Sequence, residues 1–335
     1  MKDFAGKFAV VTGGGTGMGR ELARQLIAEG CSVAMCDVSD KNMAQTIALC
    51  EADGIPQGAK ITAHHADVSS EDDLIRFRDE AAKAHDTERL HLLFNNAGIG
   101  GGGSIVDPES RGEWERTFNV CWGGVYFGVR TFLPMMLAAD EAHIVNTASV
   151  NGFWASLGPG VSHSAYCAAK FAVKGFTEAL ITDLRAHAPH IGVSVVMPGH
   201  IGTEIAANSR KVIRGDWDDR LAPDELARAR ARIARTGVDV SQVPDEAIQA
   251  MVSEQARRFL EDAPTTAAQA ATIILDGVKA DRWRILVGED AVIMDRMVRE
   301  TPEEAYEVSF YERMTKAVGW QLGGLNRAAP EPENA

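Results

Sequence analysis

Apolar residues along this chain fall into two alternating kinds of block. The first kind is a short strand-like run, mostly apolar, found at residues 7–12, 32–37, 90–94, 142–147, 191–197 and 284–287, with a more polar one at 60–66. Runs of that length, rich in Val, Ile, Leu and Phe, suit strands buried on both faces of a sheet. The second kind shows apolar residues at helical spacing, at 20–29, 43–52, 70–85, 111–139 and 265–278, and in a stretch that carries Tyr166 and ends near residue 187. Ser69-Ser70-Glu71-Asp72 has the composition of a helix start, a serine cap followed by acids in the first turn. Strand and helix alternate six times before the pattern loosens. Such alternation predicts an α/β fold, a doubly wound parallel sheet of seven strands with ligands at the carboxyl ends of the strands.

After Thr203 the periodicity changes. Residues 204–262 hold no strand signal and are charged and arginine-rich. They read as two or three helices forming a lid within the main domain. The run from Arg228 to Arg235 reads as solvated helical surface. Residues 288–319 are again helical, with a break at Thr301-Pro302. The expected organisation is one α/β domain over 1–288, a helical C-terminal extension over 289–323 and a disordered tail over 324–335.

Residues with chemistry gather at the ends of the expected strands. The first strand runs into Thr12-Gly13-Gly14-Gly15-Thr16-Gly17-Met18-Gly19 and then a helix. Strand, glycine turn and helix in succession form a phosphate-binding unit. The backbone can approach a pyrophosphate closely there, and the helix N-terminus offers free N–H groups and partial positive charge. The second strand ends in Asp37, 18 residues after Gly19. A carboxylate at that distance suits an adenosine ribose and repels a 2′-phosphate, which favours NAD over NADP. The third leads to Asp67-Val68 and the fourth to Asn95-Asn96-Ala97-Gly98. Gly98 to Ser104 holds five glycines in seven residues and reads as a mobile loop without chemistry of its own. The fifth strand ends at Ala148-Ser149, and the sixth closes with Pro198-Gly199-His200-Ile201-Gly202-Thr203. Tyr166 and Lys170 stand one helical turn apart, on one face. A tyrosine titrates near ~10 in water. An ammonium held one turn away favours the phenolate and makes the residue a usable acid or base.

Composition narrows the classes. A formal net charge of −13 argues against a nucleic-acid surface. Five cysteines without a Cys-x-x-Cys spacing indicate neither a disulfide framework nor a zinc site, and suit a reducing cytoplasm. The histidines show no metal-ligand spacing; His163 and His200 read as possible pocket walls. No apolar run approaches the ~18 residues of a membrane span. Phe153, Trp154 and Trp217 suggest a roomy apolar pocket for a bulky or ring-bearing substrate.

Taken in order, these motifs resemble the short-chain dehydrogenase/reductase family. The resemblance covers about residues 4–203 and 265–288. It rests on Thr12-Gly13-x-x-x-Gly17-x-Gly19, Asn95-Asn96-Ala97-Gly98, Asn119, Ser149, Tyr166-x-x-x-Lys170 and Pro198-Gly199-x-x-x-Thr203. It implies a Rossmann-type fold and an NAD-dependent alcohol dehydrogenase or ketoreductase acting on a small-molecule secondary alcohol or ketone. It further implies that Tyr166 moves the alcohol proton, that Ser149 holds the substrate oxygen, and that Lys170 lowers the Tyr166 pKa. Asn119 would support the proton relay through its backbone. Gly13, Gly17 and Gly19 would cradle the pyrophosphate, Asp67 and Val68 would meet the adenine, and Asn95 would line the cofactor. Pro198, Gly199, Ile201 and Thr203 would pack by the nicotinamide, and Gly15, Thr16, Met18, Ala97 and Gly98 complete the cofactor set. A homotetramer or homodimer is implied, with no nucleic-acid or membrane partner. The alternative from another class is a non-catalytic dinucleotide-binding redox sensor. Three features depart from the family pattern: a gap of 17 residues from Ser149 to Tyr166, a long segment after Thr203, and the chain beyond the seventh strand.

Overall fold

A computed structural model describes residues 1–107, 110–158, 161–234 and 238–320. The tail expected over 324–335 and the end of the arginine run at Arg235 lie outside the described residues. The elements are β1 (Phe8–Thr12), α1 (Gly17–Ala28), β2 (Ser32–Asp37), α2 (Asp40–Asp53), β3 (Ile61–His65), α3 (Glu71–His85), β4 (Leu92–Asn95), α4 (Arg111–Phe118), α5 (Gly124–Leu137), β5 (Ala142–Thr147), α6 (Ser164–His187) and β6 (Ile191–Pro198). There follow β7 (Ile201–Gly202), α7 (Ile205–Arg214), α8 (Pro223–Ala234), α9 (Asp245–Glu261), β8 (Thr265–Thr266), α10 (Ala267–Lys279), β9 (Arg284–Val287), α11 (Glu289–Glu300) and α12 (Val308–Val318).

Seven strands form one parallel sheet in the order β3-β2-β1-β4-β5-β6-β9. Every residue of β1, β4 and β5 is buried, as the unbroken apolar runs require of strands covered on both faces. Helix α1 shows how the cover is made. Its buried residues Gly19, Leu22, Ala23, Leu26 and Ile27 follow the helical repeat and lie on the sheet with α10. Ser39 and Ser70 cap α2 and α3 by accepting from the N–H groups of Asn42 and Asp73. With Phe94, Val145 and Val196 wholly buried beneath α1 and α10, each such side chain contributes about 1.5–3 kcal/mol. The strand ends, and the loops that leave them, are thereby held in one row.

Two local features depart from the sequence expectation. The helix expected over 111–139 is interrupted by a π turn at Asn119–Gly123, where the Gly124 N–H reaches back five residues to the Asn119 carbonyl. Counted through that turn, Arg111–Leu137 is long and apolar enough to span a membrane, although no unbroken apolar run is; its most apolar stretch is 61% buried within the fold. Ile201–Gly202 pairs in parallel with Thr265–Thr266, a small ribbon too short to show in the sequence. Helices α8 and α9 share a minor core of Ala229, Val240 and Ile248. The extension instead packs on the segment after Ser149, in a core of Val150, Trp154, Ala291, Met294, Phe310 and Met314.

Candidate active site

The glycine turn is stitched to the end of β4. Thr12 Oγ1 accepts from the N–H groups of Asn96 and Ala97, both at 3.0 Å, and Asn96 Nδ2 donates to the Thr12 carbonyl at 3.1 Å. Three positions need glycine for space. Gly13 has φ +69°, and a Cβ there would sit 2.9 Å from Ala97 Cα. Gly17 has φ +53° and faces Thr203 at 3.0 Å. A Cβ on Gly19 would lie 2.0 Å from the Gly13 carbonyl oxygen. The backbone around this turn therefore leaves a groove beside it that side chains cannot fill.

That groove encloses about 860 Å³ including its open mouth. Of the residues singled out in the sequence, Gly13, Thr16, Gly17, Met18, Asp37, Asp67, Val68, Ala97, Gly98 and Thr203 line it. Asp37 is fixed by two N–H groups, from Gly15 and from Ser39, each at 3.0 Å. Burial raises its pKa above the ordinary carboxylate value, and those backbone donors act against the rise. Gly15 thus serves as an anchor for Asp37 behind the groove wall. Burial also works against ionised Asp67, but Arg116 at 2.7 Å and two bonds from Ser69 outweigh it and hold that carboxyl below its usual range. Arg116 lines the groove too and was not singled out in the sequence; its place one turn before the π turn gave no signal.

One cofactor expectation needs correction. Asn95 does not line the groove. It is 1% exposed and donates through Nδ2 to Asn146 Oδ1 at 2.9 Å, inside the sheet. Asn96 lines the groove in its place. Successive strand residues point to opposite sides, so a shift of one residue exchanges wall for core. Pro198 and Ile201 are buried, and Gly199 lies against the Asp290 carboxylate. None of the three borders the groove directly, although the segment they belong to ends at Thr203, which does.

Beside the Gly98 wall α6 brings Tyr166 and Lys170 to Ser149; none of the three lines the groove itself. Lys170 is 2% exposed, and its Nζ donates to the Thr147 carbonyl at the end of β5 at 2.8 Å. Nζ lies 5.4 Å from the Tyr166 ring centroid and 3.5 Å from the point a Cβ on Gly98 would occupy, so it abuts the groove wall. Ser149 is buried; its Oγ accepts from the Asn151 N–H at 3.1 Å, leaving its own hydrogen for the Tyr166 oxygen. Burial pushes the Tyr166 phenol above its ordinary range, the neighbouring Cys121 adds to the rise, and the Ser149 bond opposes it. Burial likewise pulls Lys170 below 10.5. His163, at the start of α6, lies 4.6 Å from the Tyr166 ring, and burial lowers its pKa to about 4, so it is neutral at pH 7.

The Asn119 side chain takes no part in this cluster; the role expected of this residue runs through its backbone, whose carbonyl accepts from the Gly124 N–H in the π turn. Its side chain is exposed, and no hydrogen bond to it is found among the described residues. Cys121, two residues on, takes the inward place. It is wholly buried, its Sγ donates to the Ile99 carbonyl at 3.2 Å, and it lies 3.7 Å from the same Gly98 Cβ point that Lys170 approaches. The signal was available. The buried residues Thr117, Cys121, Gly124 and Gly128 repeat at helical intervals, and Asn119 falls on the opposite face.

The glycine-rich loop after Gly98 is tied to the lid and to α4. Gly100 N–H donates to Ser209 Oγ at 2.7 Å and Gly102 N–H to Glu113 Oε1 at 2.9 Å. A Cβ on Gly102 would meet Ala165 Cβ at 2.1 Å. The lid closes over the phosphate turn, with Asn208 Nδ2 donating to Thr16 Oγ1 at 3.3 Å. Trp217 lines the dinucleotide groove, whereas Trp154 is 1% exposed and belongs with Phe153 to the core under the extension. The three aromatic residues therefore do not form one pocket. Among the described residues no cluster of His, Cys, Asp or Glu is arranged to hold a metal ion.

A parallel sheet with a glycine cradle, an acid at the second strand and a Ser-Tyr-Lys cluster at one edge defines a nicotinamide-dinucleotide-binding oxidoreductase. The glycine cradle and the groove fit such a cofactor. The chain matches the short chain dehydrogenase family over residues 7–213 and belongs to it. It is 37% identical over 209 residues to the oxidoreductase SadH of Mycobacterium tuberculosis, 62% of this chain and 72% of that one. It is 32% identical over 236 residues to the cyclohexanol dehydrogenase of an Acinetobacter strain, covering 68% of this chain and 87% of that one. A short-chain dehydrogenase/reductase of Burkholderia phymatum, solved in complex with NAD, superposes with a TM-score of 0.71 at 30% identity, covering 90% and 96% of the two chains.

Proposed function

We propose that the protein interconverts a secondary alcohol and a ketone, with NAD as cofactor and Tyr166 as the acid/base. The observation that carries this reading is the meeting of Ser149, Tyr166 and Lys170, with Lys170 Nζ 3.5 Å from the point a Cβ on Gly98, a residue of the groove wall, would occupy. When bound, the nicotinamide accepts or gives the hydride at its C4. The chain does the rest. Ser149 donates to the substrate oxygen, and Tyr166 takes the alcohol proton or returns it to the ketone oxygen. Lys170, pinned by the Thr147 carbonyl, supplies positive charge beside the ring, which favours the phenolate needed for oxidation. Two donors at one oxygen stabilise the charge that builds on it.

Asp37 is the basis for preferring NAD. Its two N–H partners fix the carboxylate at the groove, where it suits ribose hydroxyls and disfavours a 2′-phosphate. A ring-bearing substrate is supported by the likeness to a cyclohexanol dehydrogenase and by His163, a neutral imidazole beside Tyr166. It is no longer supported by Trp154. Self-association is the reading for the exposed aromatic face of α5 and α6, where Tyr126 and Phe171 are 37% and 42% exposed. Light scattering tests it.

The deciding experiment is an NADH-formation screen over cyclic and open-chain secondary alcohols with both cofactors, repeated with Tyr166→Phe. Turnover with NAD that vanishes in the variant while NADH still binds is the expected result. Full activity in Tyr166→Phe would overturn the assignment. Binding without turnover across the panel would instead favour a sensor.

A further inference from the structure

The extension beyond β9 carries a buried carboxylate whose bonds reach far from its own helix. Asp290, in the first turn of α11, is 3% exposed. Its Oδ2 accepts from the His200 N–H at 2.7 Å and from Trp320 Nε1 at 2.9 Å. Its Oδ1 is buried, with no hydrogen-bond partner among the described residues. A carboxylate taken out of water with half its capacity unused is costly, so the two bonds it makes are the reason to look for a role. The surroundings are shaped to admit it. A Cβ on Gly199 would lie 2.2 Å from Oδ2, and one on Gly288, which has φ +98°, 2.4 Å from Oδ1.

His200 belongs to the Pro198–Thr203 segment, and its other side is also held. The ring nitrogen Nε2 bonds the Phe259 carbonyl at 2.8 Å, and a Cβ on Gly202 would sit 2.5 Å from the Leu260 carbonyl oxygen. The segment is thus gripped between the extension and α9 of the lid. Three residues further on, Thr203 forms part of the groove wall, 3.0 Å from the point a Cβ on Gly17 would occupy. We infer that Asp290 is a positioning residue for the nicotinamide half of the dinucleotide, and that Trp320 locks it, so that the extension braces the cofactor segment from behind. This rests on the dinucleotide-dependent reading above.

The test uses the full chain, with Trp320→Phe and Asp290→Ala beside the unaltered protein. NADH binding is followed by the fluorescence of the reduced ring, and AMP binding by calorimetry. AMP reaches only the adenosine half of the groove, remote from His200. Both variants should bind NADH roughly 2- to 30-fold more weakly, the range of coupling seen for residues that act through others. AMP affinity should stay within about twofold, since substitutions remote from a bound group usually cost less than 0.5 kcal/mol. Asp290→Asn, which keeps an oxygen acceptor, should recover part of the loss. Unchanged NADH affinity in both variants, or equal weakening of NADH and AMP, would overturn the brace. If the unaltered protein bound AMP and NADH not at all, the dinucleotide reading would fall, and the brace with it.

Discussion

Replacing Lys170 by Met should separate stability from activity. The ammonium is 2% exposed and has one protein acceptor, the Thr147 carbonyl at 2.8 Å. Taking such a charge out of water costs several kcal/mol. A hydrogen bond made by a charged group returns about 1.5–3 kcal/mol of that. Methionine has a similar length and no charge; it removes the desolvation cost and leaves the carbonyl short of a donor, at about 1–3 kcal/mol. The terms nearly cancel, so Lys170→Met should lie within about 2 kcal/mol of the unaltered protein at pH 7, at parity or above it. The sign with pH follows from burial, which lowers the folded-state pKa below 10.5. The unfolded chain holds this proton more tightly, so the deficit is complete below the folded pKa and is relieved as pH rises towards 10.5. Any advantage of the variant should therefore shrink between pH 7 and pH 10. Paired urea titrations at the two pH values, with the shared background of other groups cancelling, measure this. Turnover should meanwhile fall by about 100-fold or more. A variant more than about 2 kcal/mol less stable at pH 7 would refute the balance of terms, as would an advantage that grew with pH.

Other expectations are more local. Asn119→Ala should leave kcat within about twofold, since the side chain is exposed and the relay expected of this residue runs through its backbone; a large loss in steady-state rates would place the side chain in the relay. Asp37→Ala should shift the ratio of NAD to NADP efficiency towards NADP by about tenfold or more, the worth of one hydrogen bond to a charged group; competition kinetics with both cofactors decide it. Gly19→Ala should fold poorly or lose NADH binding, because the new methyl meets the Gly13 carbonyl at 2.0 Å; tight NADH binding in a titration would contradict this. Trp154→Phe deletes the donor to the Ala305 carbonyl, a bond of 2.6 Å, and should cost about 1–3 kcal/mol, read as a lower melting temperature.

Much of this architecture was legible in residue order. All seven strands of the sheet were visible, most plainly β1, β4 and β5, which are buried on both faces; the edge strands β3 and β9 are only partly buried. The phosphate turn was legible because only glycine tolerates the backbone at Gly13 and Gly17. What failed did so by small steps of phase. Asn95 and Asn96 exchange roles across one strand residue. A motif match ignores which way a side chain points, whereas burial at Thr117, Cys121 and Gly124 reports it. Trp154 failed for another reason: its partners Phe310 and Tyr311 lie more than 150 residues away, and no local pattern announces such a meeting.

That meeting has a consequence for how the chain can be altered. The segment after Ser149 places Trp154 where the extension covers it, and Gly158, at φ +110°, leaves room for Tyr311, whose ring lies 2.5 Å from where a Cβ would be. Neither part makes sense without the other. Grafted alone into a shorter relative, the inserted segment would present a bare indole to water; the extension alone would find no surface to seat Phe310. The two form one packed unit split across the chain, to be transplanted together.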